Sequence, residues 1–260
     1  MSPLQLATLL AILTVGGLAI AGRRPSIAEF RGPLRQALAT GLLVGILTVA
    51  VFSPLTAFGD AYDIDASEIW FPVLFVGHVL LALFLVLWWV LRRDVGLFRF
   101  LHLSAAEFGR NVVRGLVIGG AGWVMTITVV GAVTAAAALL TGALAAPTEV
   151  PPIVRWLAEL PVTSKLSVIG AAMTVEEAFF RGFLQPRFGL LVSSVLFAFA
   201  HFSYGLPTLA VGVFTISLII GYTFERLRSL VPCIVVHGVF DAIQLLVVLP
   251  WAVRLLDTAA

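Results

Sequence analysis

Eight apolar blocks, most of them long enough to cross a bilayer, constrain this chain more than any other feature. They run Pro3–Ala21, Ala37–Phe58, Phe71–Leu91, Val112–Leu140, Leu166–Gln185, Phe188–Phe202, Pro207–Phe224 and Val231–Val253. A transmembrane helix takes roughly 20 apolar residues. The 260 residues are 60% apolar and 12% charged, whereas a soluble domain is about a quarter charged. The expected fold is therefore all-α: a polytopic integral membrane protein of about eight helices, its partners the lipid bilayer and molecules within it rather than nucleic acid. The sixth block is short for a span, and the fourth is long enough to tilt or to break near Gly131. The lone Cys233 excludes an internal disulfide and any paired-cysteine metal site.

Ala19-Ile20-Ala21 has the look of a signal-peptidase site, yet Met1–Gln5 carries no Lys or Arg, and Arg23 and Arg24 follow the block. That arrangement predicts a retained helix with its N-terminus outside the cytoplasm. Arg23, Arg24, Arg31 and Arg35 crowd the first loop, Arg92, Arg93, Arg99, Arg110 and Arg114 the third, and Arg226 and Arg228 the seventh. The second loop holds Asp60, Asp63, Asp65 and Glu68 and no basic residue. Positive loops face the cytoplasm, so both termini are expected outside it, in a multi-pass protein of the cell membrane. The organisation read from these features is four spans over residues 1–141, a connecting loop over 142–165, and four further spans over 166–260. In the loop, Ile153, Trp156, Leu157 and Leu160 recur at helical spacing, with Arg155 and Glu159 paired on the other side. This predicts a short amphipathic helix lying on the membrane surface.

Ionisable residues are distributed unevenly. His78 is nearly alone in the first four blocks and reads as a buried hydrogen-bonding group, and His102 as a solvated loop residue. The last four blocks contain Glu176, Glu177, Arg181, His201, His237 and Asp241. A charged side chain at the bilayer centre costs about 2.5–3.5 kcal/mol. The four charged members of this set, left unpaired, would together cost on the order of 10 kcal/mol, as much as the whole stability of an ordinary domain. Such groups are expected to face the bundle interior, pair with one another and carry function. Glu177 and Arg181 lie one turn apart and can form an ion pair. Glu176 is turned about 100° from Glu177 and is the freer carboxylate, suited to general acid–base chemistry. His237 and Asp241 share a face, where the carboxylate can orient the imidazole. His201 closes the sixth block, with Phe197 one turn earlier as packing support. No Ser, Cys or Lys stands beside a base in a nucleophile's arrangement.

Glu176-Glu177-Ala178-Phe179-Phe180-Arg181 is similar to the EExxxR motif of the CPBP family of intramembrane proteases, which includes the CAAX proteases and bacteriocin-processing Abi proteins. Phe197-Ala198-Phe199-Ala200-His201 resembles that family's FxxxH motif, and His237-Gly238-Val239-Phe240-Asp241 its HxxxN or HxxxD motif. The resemblance covers about Lys165–Gln244. It implies an eight-helix membrane endopeptidase that hydrolyses a peptide bond within the bilayer. Glu176 and His201 would activate water, His237 and Asp241 would bind the developing oxyanion, and Glu177, Arg181 and Phe197 would support them. An ionised Asp241 would repel an oxyanion, so it is expected to orient His237 or to carry a proton itself. A metal-free mechanism is preferred; if zinc takes part, Glu176, His201 and His237 would hold it. The implied substrate is a membrane-embedded or lipidated peptide or protein. The Arg-rich, Lys-poor composition points to a bacterial GC-rich genome, where peptide or C-terminal anchor processing is at least as good an expectation as prenylated substrates. The rival readings are a proton-coupled transporter and a non-catalytic immunity or interaction protein of the same family.

Overall fold

One close helix approach runs along Gly115 and Gly119, one turn apart on one face. A Cβ on Gly115 would lie 2.6 Å from Val235 Cβ and 2.9 Å from the Pro232 carbonyl, and one on Gly119 would lie 2.9 Å from Val239 Cβ. Small residues at this spacing let membrane helices pack backbone against backbone. Here they seat the helix carrying His237 and Asp241. The computed structural model describes residues 26–56, 70–92, 94–104, 107–141, 151–201 and 207–259. The expected span Pro3–Ala21 and most of the acidic second loop lie outside these residues.

The described chain is almost wholly helical. Its α-helices in order are α1 (Pro33–Thr56), α2 (Val76–Arg92), α3 (Leu97–Phe100), α4 (Phe108–Thr141), α5 (Pro152–Glu159), α6 (Val162–Ala171), α7 (Gln185–Phe188), α8 (Leu190–Ala200), α9 (Pro207–Leu227), α10 (Leu230–Ile243) and α11 (Leu249–Ala259). Between α6 and α7 the helix widens into two π-helical segments, Ala172–Glu176 and Ala178–Leu184, and a third, Gln244–Val248, joins α10 to α11. Among the described residues, five helical runs are long and apolar enough to cross a bilayer: Pro33–Val51, Phe71–Arg92, Phe108–Leu140, Leu209–Leu227 and Leu230–Thr258. The chain is thus a polytopic, all-α membrane protein.

Two blocks singled out by their length can be followed in the structure. α4 runs unbroken through Gly131; its 34 residues span about 51 Å, so it exceeds the roughly 30 Å hydrocarbon core without a break. The sixth block forms only the 11-residue α8, about 16 Å long.

α2 is fastened to the widened helix by aromatic packing. Phe84 meets Phe183 edge-on at 4.9 Å and Phe179 at 5.6 Å, and Trp88 meets Phe183 at 4.8 Å. These side chains are buried in the same core as Phe30, Phe188 and Ile220. The amphipathic stretch forms α5, but its buried side is Val154, Leu157 and Ala158 rather than Ile153, Trp156 and Leu160. α5 packs on α11, and the expected Arg155–Glu159 pair is replaced: Arg155 Nη1 lies 2.9 Å from Asp257 Oδ1 of α11, while Glu159 is exposed. Lys165 is buried and donates to the Ala158 carbonyl at 2.7 Å, tying the end of α5 to α6.

Candidate active site

Glu176 and Glu177 fall at the junction of the two π-helical segments, and their carboxylates engage different partners. A π-helix is rare, and such widenings of an α-helix are frequent at functional sites. Glu177 is fully buried and accepts from Arg181 Nη1 and from His237 Nδ1, both at 2.7 Å on Oε1. Arg181 is equally buried and donates through Nη2 to Ser217 Oγ at 2.8 Å, with its guanidinium carbon 4.4 Å from the centre of the Phe197 ring. One turn on, Gln185 Nε2 donates to the Gly221 carbonyl at 2.8 Å. The pairs Arg181–Ser217 and Gln185–Gly221 therefore zip the Glu177 helix to α9 in step. A buried ion pair costs less the more of its remaining hydrogen-bonding capacity is met; here Arg181 and Glu177 Oε1 have partners, and Glu177 Oε2 has none among the described residues.

Glu176 stands between two imidazoles. His78 Nε2 lies 3.1 Å from Glu176 Oε1, and His201 Nε2 lies 3.8 Å from Oε2. Each ring is held the same way: His78 Nδ1–H donates to the Leu74 carbonyl at 3.0 Å and His201 Nδ1–H to the Phe197 carbonyl at 2.8 Å. A carbonyl oxygen only accepts, so in both rings Nδ1 carries the hydrogen and Nε2 is turned to Glu176. His201 follows α8 directly, and its ring sits 4.7 Å from that of Phe197. Phe197 also meets Phe180 at 4.9 Å and His237 at 5.7 Å, so one buried ring touches Arg181 and both motif histidines.

His237 is fixed at both nitrogens, Nδ1 by Glu177 and Nε2 by Asp241 Oδ2 at 3.3 Å. Gly238 lets this part of α10 come close to the Glu176 segment, because a Cβ there would lie 2.5 Å from Met173 Sδ.

His78, Glu176, His201, His237, Asp241 and Gln244 all line one cavity of about 190 Å³. The rest of its wall is apolar: Leu74, Val168, Leu209, Val213, Phe240, Leu245 and Leu249, with Val154 and Leu157 of α5. Glu176 Oε2, Glu177 Oε2 and Gln244 Oε1 are buried and accept no hydrogen bond among the described residues. Reading the sequence for chemistry singled out Glu176, His201, His237 and Asp241, and the structure brings all four to this cavity. It missed Ser217, Gln185, Gln244 and the placement of His78. Ser217 and Gly221 did carry a signal, a small-residue ladder at one-turn spacing opposite Arg181 and Gln185.

Among the described residues no three His, Cys, Asp or Glu side chains stand together in metal-ligand fashion. Both nitrogens of His237 face carboxylates, Nδ1 that of Glu177 and Nε2 that of Asp241.

Fold and site together define an integral membrane protein with a carboxylate–imidazole centre in an apolar cavity. Residues 159–243 match the family model described as type II CAAX prenyl endopeptidase, Rce1-like, and the chain carries that domain there, consistent with the CPBP family. No curated protein and no solved structure matches the chain.

Proposed function

We propose that this protein is an intramembrane endopeptidase in which Glu176 activates water for attack on a peptide bond. The observation that carries the reading is the state of the Glu176 carboxylate. One oxygen is held by His78, and the other is buried, accepts no hydrogen bond among the described residues and faces His201 across 3.8 Å at the cavity wall. That separation exceeds a direct hydrogen bond, so Oε2 is left to accept from a water on the cavity side that lies beside both groups.

Glu176 Oε2 takes the proton as the water oxygen attacks the carbonyl carbon, and returns it to the leaving amide nitrogen. His237, locked through Nδ1 onto Glu177, carries a second hydrogen on Nε2 that faces Asp241 in the resting site, and the developing oxyanion takes over that hydrogen bond. Asp241 keeps that nitrogen in place rather than touching the oxyanion as a charge. The Glu177–Arg181 pair keeps His237 from drifting. The apolar wall excludes bulk water, which strengthens each of these interactions.

The substrates are membrane-embedded or lipidated peptides or proteins cut near a C-terminus, and the alternation of basic loops sets both termini outside the cytoplasm. The test compares membranes holding wild-type protein with membranes holding Glu176→Gln and maps new protein C-termini by mass spectrometry. New C-termini in the wild-type sample alone support the reading, and identical sets in both oppose it.

A further inference from the structure

We infer that His78 is a positioning residue of this site: it holds one oxygen of Glu176 so that the other stays aimed at His201 and the cavity. The inference rests on the reading of Glu176 as the general base. His78 belongs to α2, 98 residues before Glu176 and outside the matched segment 159–243. The centre is thereby completed from the N-terminal half of the chain.

Three observations lead there. The ring is anchored by the Leu74 carbonyl, so its Nε2 has one direction available, toward Glu176 Oε1. The ring lines the same cavity as Glu176, His201 and His237. α2 is itself held against the Glu176 helix by the Phe84, Trp88, Phe179 and Phe183 cluster, so the 3.1 Å contact belongs to a packed interface.

The proton count adds a consequence. With Nδ1–H committed to a carbonyl and Glu176 ionised to act as a base, the Nε2–Oε1 contact is a hydrogen bond only when His78 carries a second proton, on Nε2. Free rotation of a carboxylate that lost this tether would swing Oε2 away from His201. Misplacement of a reacting group by about 1 Å can lower a rate roughly 100-fold.

The experiment uses the full-length protein in lipid vesicles with a quenched fluorescent peptide spanning a C-terminal cleavage point that the wild type generates in membranes. Three variants are compared with wild type: His78→Leu, His78→Gln and Glu176→Gln. His78→Leu should lower kcat by about 100-fold with KM nearly unchanged. His78→Gln keeps an N–H at the Nε2 position and should restore most of that loss. A buried residue that serves only the fold would instead lower kcat in step with the thermal midpoint and show no rescue. Wild-type turnover in His78→Leu beside an inactive Glu176→Gln overturns the inference and leaves the general-base reading standing. Equal loss in the Leu and Gln variants also overturns it. Wild-type turnover in Glu176→Gln, or no cleavage by the wild type, removes the general-base reading and this inference with it.

Discussion

His237 Nδ1 and Glu177 Oε1 lie 2.7 Å apart, and Arg181 Nη1 meets the same oxygen at the same distance. One buried carboxylate oxygen thus joins an ion pair within its own helix to the imidazole of another. The consequence is a division of labour between adjacent glutamates: Glu177 belongs to the scaffold, and Glu176 faces the cavity.

Breaking that scaffold should cost folding before it costs chemistry. Arg181→Met leaves Glu177 buried without its guanidinium partner and should destabilise the protein by roughly 3–5 kcal/mol. Glu177→Leu combined with Arg181→Met removes both charges and should recover much of that loss. Unfolding midpoints in detergent, read as a double-mutant cycle, check this. Additive losses would show that the two side chains do not act as a pair.

The α4–α10 contact makes a second prediction. Gly119→Val places methyl groups where Val239 already sits, and Gly115→Val does the same against Val235 and the Pro232 carbonyl. Overpacking of this kind costs about 1–3 kcal/mol and should shift His237 with α10, lowering turnover. Gly120→Val is the control, since nothing stands within 4 Å of a Cβ there. Thermal midpoints should fall for the first two variants and hold for the third.

His102 supplies a pH dependence outside the spans. Burial, with Arg187 and Arg228 nearby, holds its pKa below the usual histidine value of 6.5. Its ring packs edge-on against Phe224 at 5.3 Å, and its carbonyl accepts from the Leu230 N–H. The folded protein therefore favours neutral His102. This contribution is present above the unfolded pKa near 6.5 and is lost as pH falls through the window beneath it. His102→Asn, which tolerates the residue's φ of 52°, should lose less stability than wild type between neutral and mildly acidic pH. An unchanged slope in thermal melts across that range would oppose this.

Metal dependence is separable from these effects. Because His237 is engaged by carboxylates at both nitrogens, the account predicts that a strong zinc chelator leaves peptide turnover intact. Loss of turnover with the chelator, restored by added zinc, would contradict it.

The sequence made legible those parts of the site that are local or energetically conspicuous. Glu177 and Arg181 share a helix face, so their pairing follows from spacing alone. Ionisable groups in apolar segments announce themselves through their insertion cost, which is why Glu176, His201, His237 and Asp241 stand out together. Contacts chosen by tertiary packing were not legible. Nothing within an apolar α2 says which neighbour His78 will face. The face α5 buries, and the partner of Arg155, Asp257 of α11 102 residues away, are likewise chosen by packing. The π-helical widening at Glu176 also has no period of its own in the hydropathy pattern.

The most direct test of the central claim is the turnover of Glu176→Gln beside wild type and Glu177→Gln, in vesicles, with thermal midpoints recorded for all three. The account predicts a kcat loss of about 10²–10⁴-fold in Glu176→Gln at a midpoint close to wild type, and a lowered midpoint in Glu177→Gln. A Glu176→Gln protein that folds normally and cleaves at the wild-type rate would contradict it.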